Sequence, residues 1–281
     1  MRLMPTVLLS PYTDPPWNIA LEEALRNYAR QGSGFFVLYI NKQSIIVGRN
    51  QDCLMELSEA ALSDQVPVYR RTTGGGAVYH DEGNLNWSFI VPGDLSLRTR
   101  LLSIVIDALS SLGVAAAEGA RGGLYAGGKK LGGTASAAGG GALVFHGTLL
   151  VNSDLNALAR YLSAHSITAY GNTDHATGNT KAKVLSVGSE VGTLSELEPS
   201  LCMAQVKDAL LRALSEAAEL GPCSAEALDS ELVLCPADLS SAAAHFSHFD
   251  WIYGRQSSPL IQRQNEAPPA DRLTAAGKGK P

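Results

Sequence analysis

The sequence predicts an α+β domain in which a mainly antiparallel or mixed sheet is flanked by helices. Strand-like and helix-like segments follow one another without the regular βαβα rhythm of a doubly wound parallel sheet. A chain of 281 residues is long enough to bury one substantial core. Its 28 glycines are unevenly spread. They are densest between positions 73 and 147, where they separate short strand-like runs. Together these observations favour a sheet with several tight turns.

The first elements are a helix and two strands. Asp14-Pro15-Pro16 is typical of a helix start, because proline suits the first turn, and the glycines of 32–34 end the helical pattern. The residues on one face of this helix are Leu21, Ala24, Leu25 and Tyr28. Two β-rich runs follow at Phe35–Ile40 and Ser44–Val47, and the short polar segment between them predicts a hairpin.

Two further strands, Val68–Arg71 and Leu85–Ile90, bracket a triple glycine at 74–76. A helix is expected next, because apolar residues recur on one side of a helical pattern that ends at Gly113. Its apolar positions are Leu101, Val105 or Ile104, Ala108 and Leu112.

The second half predicts strands at Ala142–Phe145 and Thr148–Asn152, and then a helix that Asp154 is placed to cap. The apolar positions of that helix are Leu155, Leu158, Ala159 and Leu162. The polar, turn-rich stretch 164–180 is expected to be an exposed or mobile loop. Met203–Leu220 has the spacing of an amphipathic helix.

Composition excludes several classes of protein. The formal net charge of −5 provides no basic field for nucleic acid and no basic amphipathic helix for a membrane surface. No stretch approaches the roughly 18 apolar residues that a membrane span requires. The four cysteines, at 53, 202, 223 and 235, have neither zinc spacing nor a disulfide-rich pattern. We therefore expect a soluble cytoplasmic protein without a bound structural metal.

The segment RRTTGGGAVYHDEGNLN at 70–86 predicts an anion-binding turn. Three glycines remove every Cβ from the turn, and successive backbone N–H groups in such a turn can form a nest for a phosphate. Arg70 and Arg71 alternate across the strand, so one of them points at the turn, and we expect that to be Arg71. The segment matches neither the P-loop nor the Rossmann pattern. A glycine-rich hairpin beside a surface arginine is the simpler alternative.

A second glycine-rich segment, GGKKLGGTA at 127–135, carries two lysines. A lysine surrounded by glycines can enter a site as a point charge and stabilise a carboxylate or phosphate that gains charge in a transition state. Two solvated lysines on a loop would be the ordinary interpretation. Because two such cationic segments occur in one domain, the sequence favours activation of a carboxylate by a nucleotide.

These segments resemble lipoate-protein ligase A and its relatives. The similar stretches are RRTTGGGAVYHDEGNLNWSFI (70–90), KLGGTA (130–135), HGTLLVNSDL (146–155), Lys183 with SVGSEVGTL (186–194), and more weakly NIALEEAL (18–25), GRNQ (48–51) and WIYG (251–254). The resemblance implies a catalytic domain over residues 1–255 with the architecture of class II aminoacyl-tRNA synthetases and biotinyl/lipoyl ligases. Residues 256–281 are expected to form a disordered tail.

The resemblance implies an ATP-dependent reaction in which lipoyl-AMP forms and a lysine of a carrier protein then accepts the lipoyl group. The carrier would be a lipoyl domain or a glycine-cleavage H-type protein, and Mg²⁺ would accompany ATP. The catalytic residue implied is Lys130. The ATP-binding residues implied are Arg71, Gly74, Gly75, Gly76, Ala77, Val78, Tyr79, Asn84 and Lys130. The lipoate-binding residues implied are Arg71, Gly75, Gly76, His80, Lys130, Gly133, Thr134 and Ala135. No residue is implied as a metal ligand.

Two histidines lie next to these motifs, His80 and His146. Either could act as a general base, but a histidine that hydrogen-bonds its neighbours within the sheet is the expectation we favour. Asp81 and Asn84 are expected to stabilise the turn between them.

The sequence departs from the family pattern at three points. Relatives often carry Arg-Asn-Asp where this chain has Arg121-Gly122-Gly123, and often arginine where it has Ala137. Two-domain ligases continue into a small accessory domain, whereas this chain ends soon after Gly254, so a separate accessory subunit is one expectation.

Three alternatives stay open. An octanoyl or lipoyl transferase of the same superfamily moves the acyl group through a cysteine thioester, and Cys53 follows the GRNQ segment closely enough to be considered. A biotin ligase fits less well, because the Arg-Arg-Thr-Thr-Gly-Gly-Gly run matches lipoate enzymes better. A non-catalytic acyl-binding relative would account for the missing Asn-Asp pair.

Overall fold

The computed structural model describes residues 5–163, 186, 188–217, 225–227 and 236–254. Its helices are α1 Pro15–Ala29, α2 Cys53–Glu56, α3 Glu59–Ser63, α4 Arg98–Ser111, α5 Leu155–Tyr161, α6 Leu194–Leu197, α7 Met203–Glu216, α8 Pro236–Ser247 and α9 Phe249–Tyr253. The predicted loop at 164–180, Lys183 and the tail lie outside the described residues. No described helix is long and apolar enough to cross a membrane.

Three sheets contain the described strands. The strands are β1 Thr6–Leu9, β2 Phe35–Tyr39, β3 Ser44–Val47, β4 Val68–Arg70, β5 Val78–His80, β6 Asn84–Pro92, β7 Ala117–Glu118, β8 Leu124–Ala126, β9 Lys129–Gly132, β10 Thr134–Gly139, β11 Ala142–Leu150 and β12 Ala225–Ala227. The largest sheet has six strands in the order β10-β11-β6-β2-β1-β12. The pairs β10-β11, β11-β6 and β6-β2 are antiparallel, and the pairs β2-β1 and β1-β12 are parallel. The prediction of a mixed sheet flanked by helices is confirmed.

The two faces of the large sheet bury different chemistry, and β6 shows why. Successive side chains of a strand point to opposite faces. On β6 the positions Leu85, Trp87, Phe89 and Val91 all join the apolar core that packs against α4 and α7. The alternate positions Asn84, Asn86 and Ser88 are polar and fully or almost fully buried. These point toward the α1 side of the sheet, so a polar interior lies beneath α1.

The smaller sheets are built around this frame. The β4-β3-β5 sheet packs its apolar side against α2, α3, α5 and α9, while β7-β8-β9 forms a short antiparallel sheet. Burial of these apolar faces is the main source of stabilisation, roughly 25 cal/mol for each Å² of apolar surface removed from water. Both glycine-rich segments lie where these sheets meet, so their positions are determined by packing of several elements.

The predicted hairpin between Phe35–Ile40 and Ser44–Val47 is wrong. Both strands exist, but β2 pairs with β1 and β6 in the large sheet, whereas β3 pairs with β4 and β5 in the small one. Residues 41–43 therefore cross from one sheet to the other. Asn41 is buried at this crossing. Its hydrogen bond to His80 ties residues 41–43 to the β4-β3-β5 sheet.

Other predicted elements differ in extent. The two strands expected at 142–145 and 148–152 form one strand, β11, because Gly147 continues the pairing with β6. An additional short strand, β5, lies between the triple glycine and β6. On α1 the predicted face is shifted, since Tyr28 is 37% exposed and Glu22 is 3% exposed. The side chain of Asp154 caps α5 as expected, accepting from the backbone of residues 156 and 157.

Candidate functional site

The glycine turn, defined here as Thr73–Ala77, connects β4 to β5. These strands lie on opposite sides of β3, so the turn passes over the end of β3. It lies directly on Gly48, where an added Cβ would be 2.1 Å from the carbonyl oxygen of Gly75. Gly75 itself has a φ of +88°, in the left-handed region that glycine tolerates. Close backbone contact therefore explains why GRNQ and the triple glycine occur together.

Arg71 lies against this turn, as expected, and binds the carbonyl oxygens of the turn. Its guanidinium donates to the carbonyl oxygens of Gly74 at 2.6 Å and Gly76 at 2.7 Å, and its Nε donates to the Thr73 hydroxyl at 3.1 Å. Burial lowers the pKa of Arg71 to about 10. With the carbonyl groups directed at the arginine, the opposite side of the turn is left for backbone N–H groups.

Arg70 has a structural role that the sequence did not reveal. Its side chain is fully buried and donates to the carbonyl oxygens of Gly48, Gln51 and Ile252 at 2.8, 2.8 and 2.6 Å. In return, Nε1 of Trp251 donates to the Arg70 carbonyl oxygen at 2.8 Å. Arg70 thus joins the GRNQ segment to α9, which carries the WIYG motif. A buried guanidinium satisfied by several carbonyl groups is stable in such a position.

The side chain of Lys130 lies close to Gly123 and Gly133. An added Cβ would be 3.2 Å from its Cε at Gly123 and 3.8 Å from its Nζ at Gly133. Burial lowers the pKa of Lys130, and nearby Arg121 lowers it further. Within the described residues the ammonium has no carboxylate within ion-pair distance, whereas its neighbour Lys129 pairs with Glu196 at 3.2 Å. A desolvated cation without a counter-ion is suited to an anionic ligand.

The two glycine-rich segments meet in space. An added Cβ at Gly75 would be 3.8 Å from the Cβ of Ala135, which directly follows the lysine loop. Ala135 pairs with His146 across β10 and β11, and Nε2 of His146 is 2.8 Å from the hydroxyl of Thr73. Segments about sixty residues apart in sequence therefore form one site, which neither segment predicted by itself.

His146 connects this site to α1. Its Nδ1 lies 3.0 and 2.9 Å from the two carboxylate oxygens of Glu22, and Tyr39 donates to the same carboxylate at 3.1 Å. Burial by itself would raise the pKa of Glu22, but its contact with His146 and the hydrogen bonds of Ser88 and Tyr39 lower it overall. Glu22 was missed at the sequence level. Its signal was a carboxylate one position after Leu21, within the buried stripe of an amphipathic helix.

The tautomer of His80 follows from a chain of buried amides. Asn18 donates to the carbonyl oxygen of Tyr12 at 3.0 Å and to Oδ1 of Asn41 at 2.8 Å, which fixes the orientation of both amides. Nδ2 of Asn41 then donates to Nδ1 of His80 at 2.9 Å. Nδ1 is therefore the acceptor and the proton lies on Nε2.

This Nε2–H group is buried and has no acceptor among the described residues. Burial, together with Arg71 and His146, lowers the pKa of His80 to about 3, so the ring is neutral at ordinary pH. A neutral, buried donor without a partner is a place where a ligand oxygen can bind.

The remaining predicted residues occupy different positions around the turn. The backbone N–H of Ala77 donates to the hydroxyl of Ser186 at 2.7 Å, and Ser186 also accepts from Gln51. Val78 is half-buried, whereas the ring of Tyr79 is buried in the core of the small sheet and its hydroxyl accepts from Gln43. The structure thus places the backbone of 77–79 near the site while directing the Tyr79 side chain away from it.

Three more predicted residues have defined contacts. Gly133 donates from its backbone to the Thr148 hydroxyl at 3.0 Å, and the Thr134 hydroxyl donates to the carbonyl oxygen of Gly122 at 2.8 Å. Asn84 is fully buried and donates to Asn86 at 3.1 Å, while its Oδ1 has no partner among the described residues. Asn84 lies at the start of β6, opposite Leu150 of β11.

The departures from the family pattern are built into the local packing. An added Cβ at Gly122 would be 2.6 Å from the Thr134 hydroxyl, and one at Gly123 would be 2.6 Å from the ring of Tyr125. Gly122 also has a φ of +72°, which disfavours asparagine less than most residues but still strains it. The lysine loop of this chain is therefore shaped for glycine at both positions. Ala137 is half-buried on β10, paired with Val144.

Neither described cysteine is an exposed thiol beside the glycine turn. Cys53 is fully buried in the apolar core of the small sheet, and Cys202 is exposed at the start of α7. Cys223 and Cys235 lie outside the described residues.

Comparison with known proteins identifies similar chains. Residues 14–215 match the family model for the lipoyl protein ligase A/B catalytic domain. Over 258 residues the chain is 30% identical to lipoate-protein ligase A of Psychrobacter cryohalolentis, covering 89% of this chain and 72% of that protein.

Two solved structures share the fold. One is P. falciparum LipL1 in complex with lipoate, with a TM-score of 0.74 and 24% identity over 90% of this chain and 75% of that chain. The other is described as a bi-partite lipoate protein ligase from Thermoplasma acidophilum with its E2 lipoyl domain. Its TM-score is 0.71 at 22% identity, covering 92% of this chain and 99% of that chain.

Proposed function

The chain belongs to the family of lipoyl protein ligase A/B catalytic domains, and we propose on that basis that it is an ATP-dependent lipoate-protein ligase. It would convert lipoate and ATP to lipoyl-AMP and pyrophosphate, and then transfer the lipoyl group to a lysine of a carrier protein. The observation that carries the proposal is the meeting of the glycine turn with the loop of Lys130, a desolvated ammonium without a counter-ion among the described residues.

In the first step a carboxylate oxygen of lipoate attacks the α-phosphorus of ATP. The bond from that phosphorus to the oxygen bridging the β-phosphorus breaks, and pyrophosphate leaves with the electron pair. Lys130 would neutralise charge on the carboxylate and on the phosphoryl oxygens as they approach, because two anions repel each other strongly in a site of low dielectric. Its lowered pKa reflects the same desolvation, which strengthens its attraction for an anion.

The glycine turn would bind the nucleotide through its backbone. Arg71 fixes the carbonyl oxygens of Gly74 and Gly76, and the N–H groups of the three glycines would then be available to phosphate oxygens. We assign ATP binding to Arg71, Gly74, Gly75, Gly76, Ala77, Val78, Tyr79 and Lys130, with the backbone as the binding group at Tyr79. Asn84 is retained with less support, because its known contacts are with β6.

Lipoate binding is assigned to the residues around the junction of the two segments. These are Arg71, Gly75, Gly76, His80, Lys130, Gly133, Thr134 and Ala135. The strongest support belongs to His80, whose buried Nε2–H has no acceptor among the described residues. An oxygen of the acyl carboxylate would satisfy it. Ala135 presents only a methyl group toward Gly75.

Magnesium is best treated as part of the substrate MgATP. No cluster of three or more His, Cys, Asp or Glu side chains that could hold a metal ion occurs within the part of the chain that the structure describes. Mg²⁺ commonly binds through triphosphate oxygens and water with few protein ligands. Lys130 and the glycine turn that Arg71 holds would receive such a complex.

In the second step the neutral amine of a carrier lysine attacks the acyl carbon of lipoyl-AMP. AMP leaves with its electron pair, and the amine loses a proton as the amide forms. No nucleophile of the enzyme takes part, which agrees with the burial of Cys53 in an apolar core. The acceptor would be a lipoyl domain or an H-type carrier, and a separate accessory subunit could assist, as in the bi-partite archaeal ligase.

The proposal is tested with the purified chain, MgATP, lipoate and a lipoyl domain, followed by the intact mass of the acceptor. We expect the mass of one lipoyl group to be added only when ATP is present. If modification requires an acyl-carrier donor without ATP and is lost in Cys53→Ala, the protein is a transferase. If the acceptor is unchanged under both conditions, with and without a candidate accessory subunit, the ligase proposal is wrong.

A further inference from the structure

A buried chain of hydrogen bonds links α1 to the glycine turn. We call it the Glu22 relay, and it consists of Glu22, His146, Thr73 and Arg71. The distances along it are 2.9 Å from Glu22 to His146 Nδ1, 2.8 Å from His146 Nε2 to Thr73, and 3.1 Å from Thr73 to Arg71 Nε. All four residues are buried, the most exposed being His146 at 8%. The relay joins three parts of the fold: α1, β11 and the segment that connects β4 to β5.

The direction of each hydrogen bond in the relay is determined by its ends. Arg71 can only donate, so the Thr73 oxygen accepts from Nε. Glu22 is ionised and can only accept, so the proton on His146 lies on Nδ1. If the ring is neutral, Nε2 of His146 accepts a hydrogen bond from the Thr73 hydroxyl. The three hydrogen bonds of the relay then each have one donor and one acceptor. If the ring were charged, the Thr73 hydroxyl proton would have no acceptor in the relay.

Arg71 transmits this arrangement to the turn. The same guanidinium that donates to Thr73 also donates to the carbonyl oxygens of Gly74 and Gly76. Because these glycines have no side chain to restrict them, the orientation of their peptide groups depends on what holds the carbonyl oxygens. The position of the guanidinium therefore sets the direction of the turn's N–H groups.

Glu22 also has an electrostatic role. Burial lowers the pKa of Arg71, and Glu22 is among the acids that counter this effect. A buried guanidinium is stable only if its charge is compensated. Because Glu22 compensates it through two intervening residues, no carboxylate has to contact the glycine turn directly, where it would repel an anionic ligand.

We propose that Glu22 is a positioning residue for the adenylation step, acting through His146 and Thr73 to fix Arg71 and the glycine turn. The inference rests on the proposed ligase function. It assigns a role to the NIALEEAL segment, which the mechanism otherwise does not use. Glu22 contacts none of the reacting groups in this scheme. It affects the reaction through the positions of Arg71 and the glycine turn.

The kinetic test compares Thr73→Val with Thr73→Ser, and Glu22→Gln with Glu23→Gln. Valine removes the hydroxyl but keeps the shape, whereas serine keeps the hydroxyl. Glu23 is adjacent and half-buried, and its one ion pair among the described residues is with Arg26 at 3.7 Å. We expect Thr73→Val and Glu22→Gln to raise the KM for ATP about tenfold, the effect of losing one hydrogen bond of roughly 1.4 kcal/mol. Thr73→Ser and Glu23→Gln should remain within about twofold of the wild type.

A purely structural role is distinguished by the second half-reaction and by melting temperature. The KM for the carrier, measured with preformed lipoyl-AMP, should be unchanged in both variants. If Thr73→Val and Glu22→Gln lower only the melting temperature and leave the KM for ATP unchanged, the relay has no positioning role. Equal behaviour of Thr73→Val and Thr73→Ser would overturn it as well. Should the wild type itself form no lipoyl-AMP, the proposed function fails first.

Nitrogen NMR of histidine-labelled protein provides a readout that is independent of activity. We expect His146, assigned by its absence in His146→Gln, to be neutral with its proton on Nδ1. In Glu22→Gln that preference should be lost, because glutamine can donate to Nδ1. A proton on Nε2 of His146 in the wild-type protein would contradict the relay.

Discussion

Lys130 illustrates how a residue can favour function over stability. Burial lowers the pKa of its ammonium in the folded state, so the protonated side chain is more favourable in the unfolded chain. Its charge therefore opposes folding at pH values below the pKa of the unfolded state, and this penalty diminishes as the pH rises toward that value. A partly buried cation retained without a carboxylate partner among the described residues is typical of a ligand site.

We predict that Lys130→Met abolishes adenylation without loss of stability. Methionine is similar in shape and removes the desolvated charge, so the melting temperature at pH 7 should be equal to or above that of the wild type. Loss of a charge that stabilises the transition state should lower the rate of lipoyl-AMP formation by roughly 100-fold or more.

The matched control for Lys130→Met is Lys129→Met, because Lys129 is the neighbouring lysine and pairs with Glu196. This variant should retain near-normal turnover. Near-normal turnover by Lys130→Met would remove that residue from the mechanism, and a large fall in its melting temperature would contradict the electrostatic explanation.

The two arginines show what a sequence can decide at the scale of one residue. Strand alternation correctly separates Arg70 from Arg71, and Arg71 does contact the glycine turn. The sequence did not reveal that Arg70 is fully buried and bound to carbonyl groups of α9, because those groups are about 180 residues away along the chain. A second unpredicted residue, Ser186, accepts a hydrogen bond from the backbone of Ala77, which is 109 positions away along the chain.

At the scale of the element, the glycine turn depends on the segment beneath it. Gly48 approaches the carbonyl oxygen of Gly75 so closely that no Cβ fits, and the atom it would meet belongs to the backbone. Backbone cannot rotate aside as a side chain can. The turn and the GRNQ segment must therefore move together or separate.

We predict that Gly48→Ala destabilises the fold by about 1–3 kcal/mol, as other overpacked positions do. The KM for ATP should increase as well, because the turn is pushed away from its position over β3. Gly74→Ala is the control for stability, since an added Cβ at Gly74 has nothing within 4 Å. Thermal unfolding of both variants checks this, and equal melting temperatures would show that the turn yields without strain.

The strands β2 and β3 show why local pattern is insufficient to predict pairing. Phe35–Tyr39 and Ser44–Val47 are both recognisable strands, and a three- to five-residue linker is typical of a hairpin. Both strands are buried throughout, however, so each can be placed in the interior of a sheet with partners on both sides. Pairing with β6 and β4 satisfies more of their backbone than pairing with each other would.

At the scale of the whole molecule, α9 completes the core around Arg70. Its residues supply carbonyl groups to the buried guanidinium, and the Trp251 indole donates back to the Arg70 carbonyl oxygen. Removing α9 would leave this charge with fewer acceptors, which is among the more destabilising changes possible in a protein interior.

We predict that truncation after His248 destabilises the protein far more than truncation after Gly254. The first removes α9 and exposes Arg70, and should lower the midpoint of thermal unfolding by roughly 10 °C. The second keeps α9, so its midpoint should stay within about 2 °C of that of the full chain. Similar midpoints for the two truncations would show that α9 does not stabilise Arg70.

The sequence by itself determined the class of fold, both cationic glycine-rich segments, the helices α1, α4, α5 and α7, and the strands β2, β3, β4, β6 and β11. These follow from local rules: the period of the apolar residues, the capping of helices and the freedom of glycine. Only the tertiary structure decided how the strands pair and that the two segments meet at Gly75 and Ala135. It also decided that hydrogen bonds through His146 and Thr73 link Glu22 to Arg71. The contact between Glu22 and His146 joins residues 124 positions apart, and contacts at such distances are set by the packing of the whole chain.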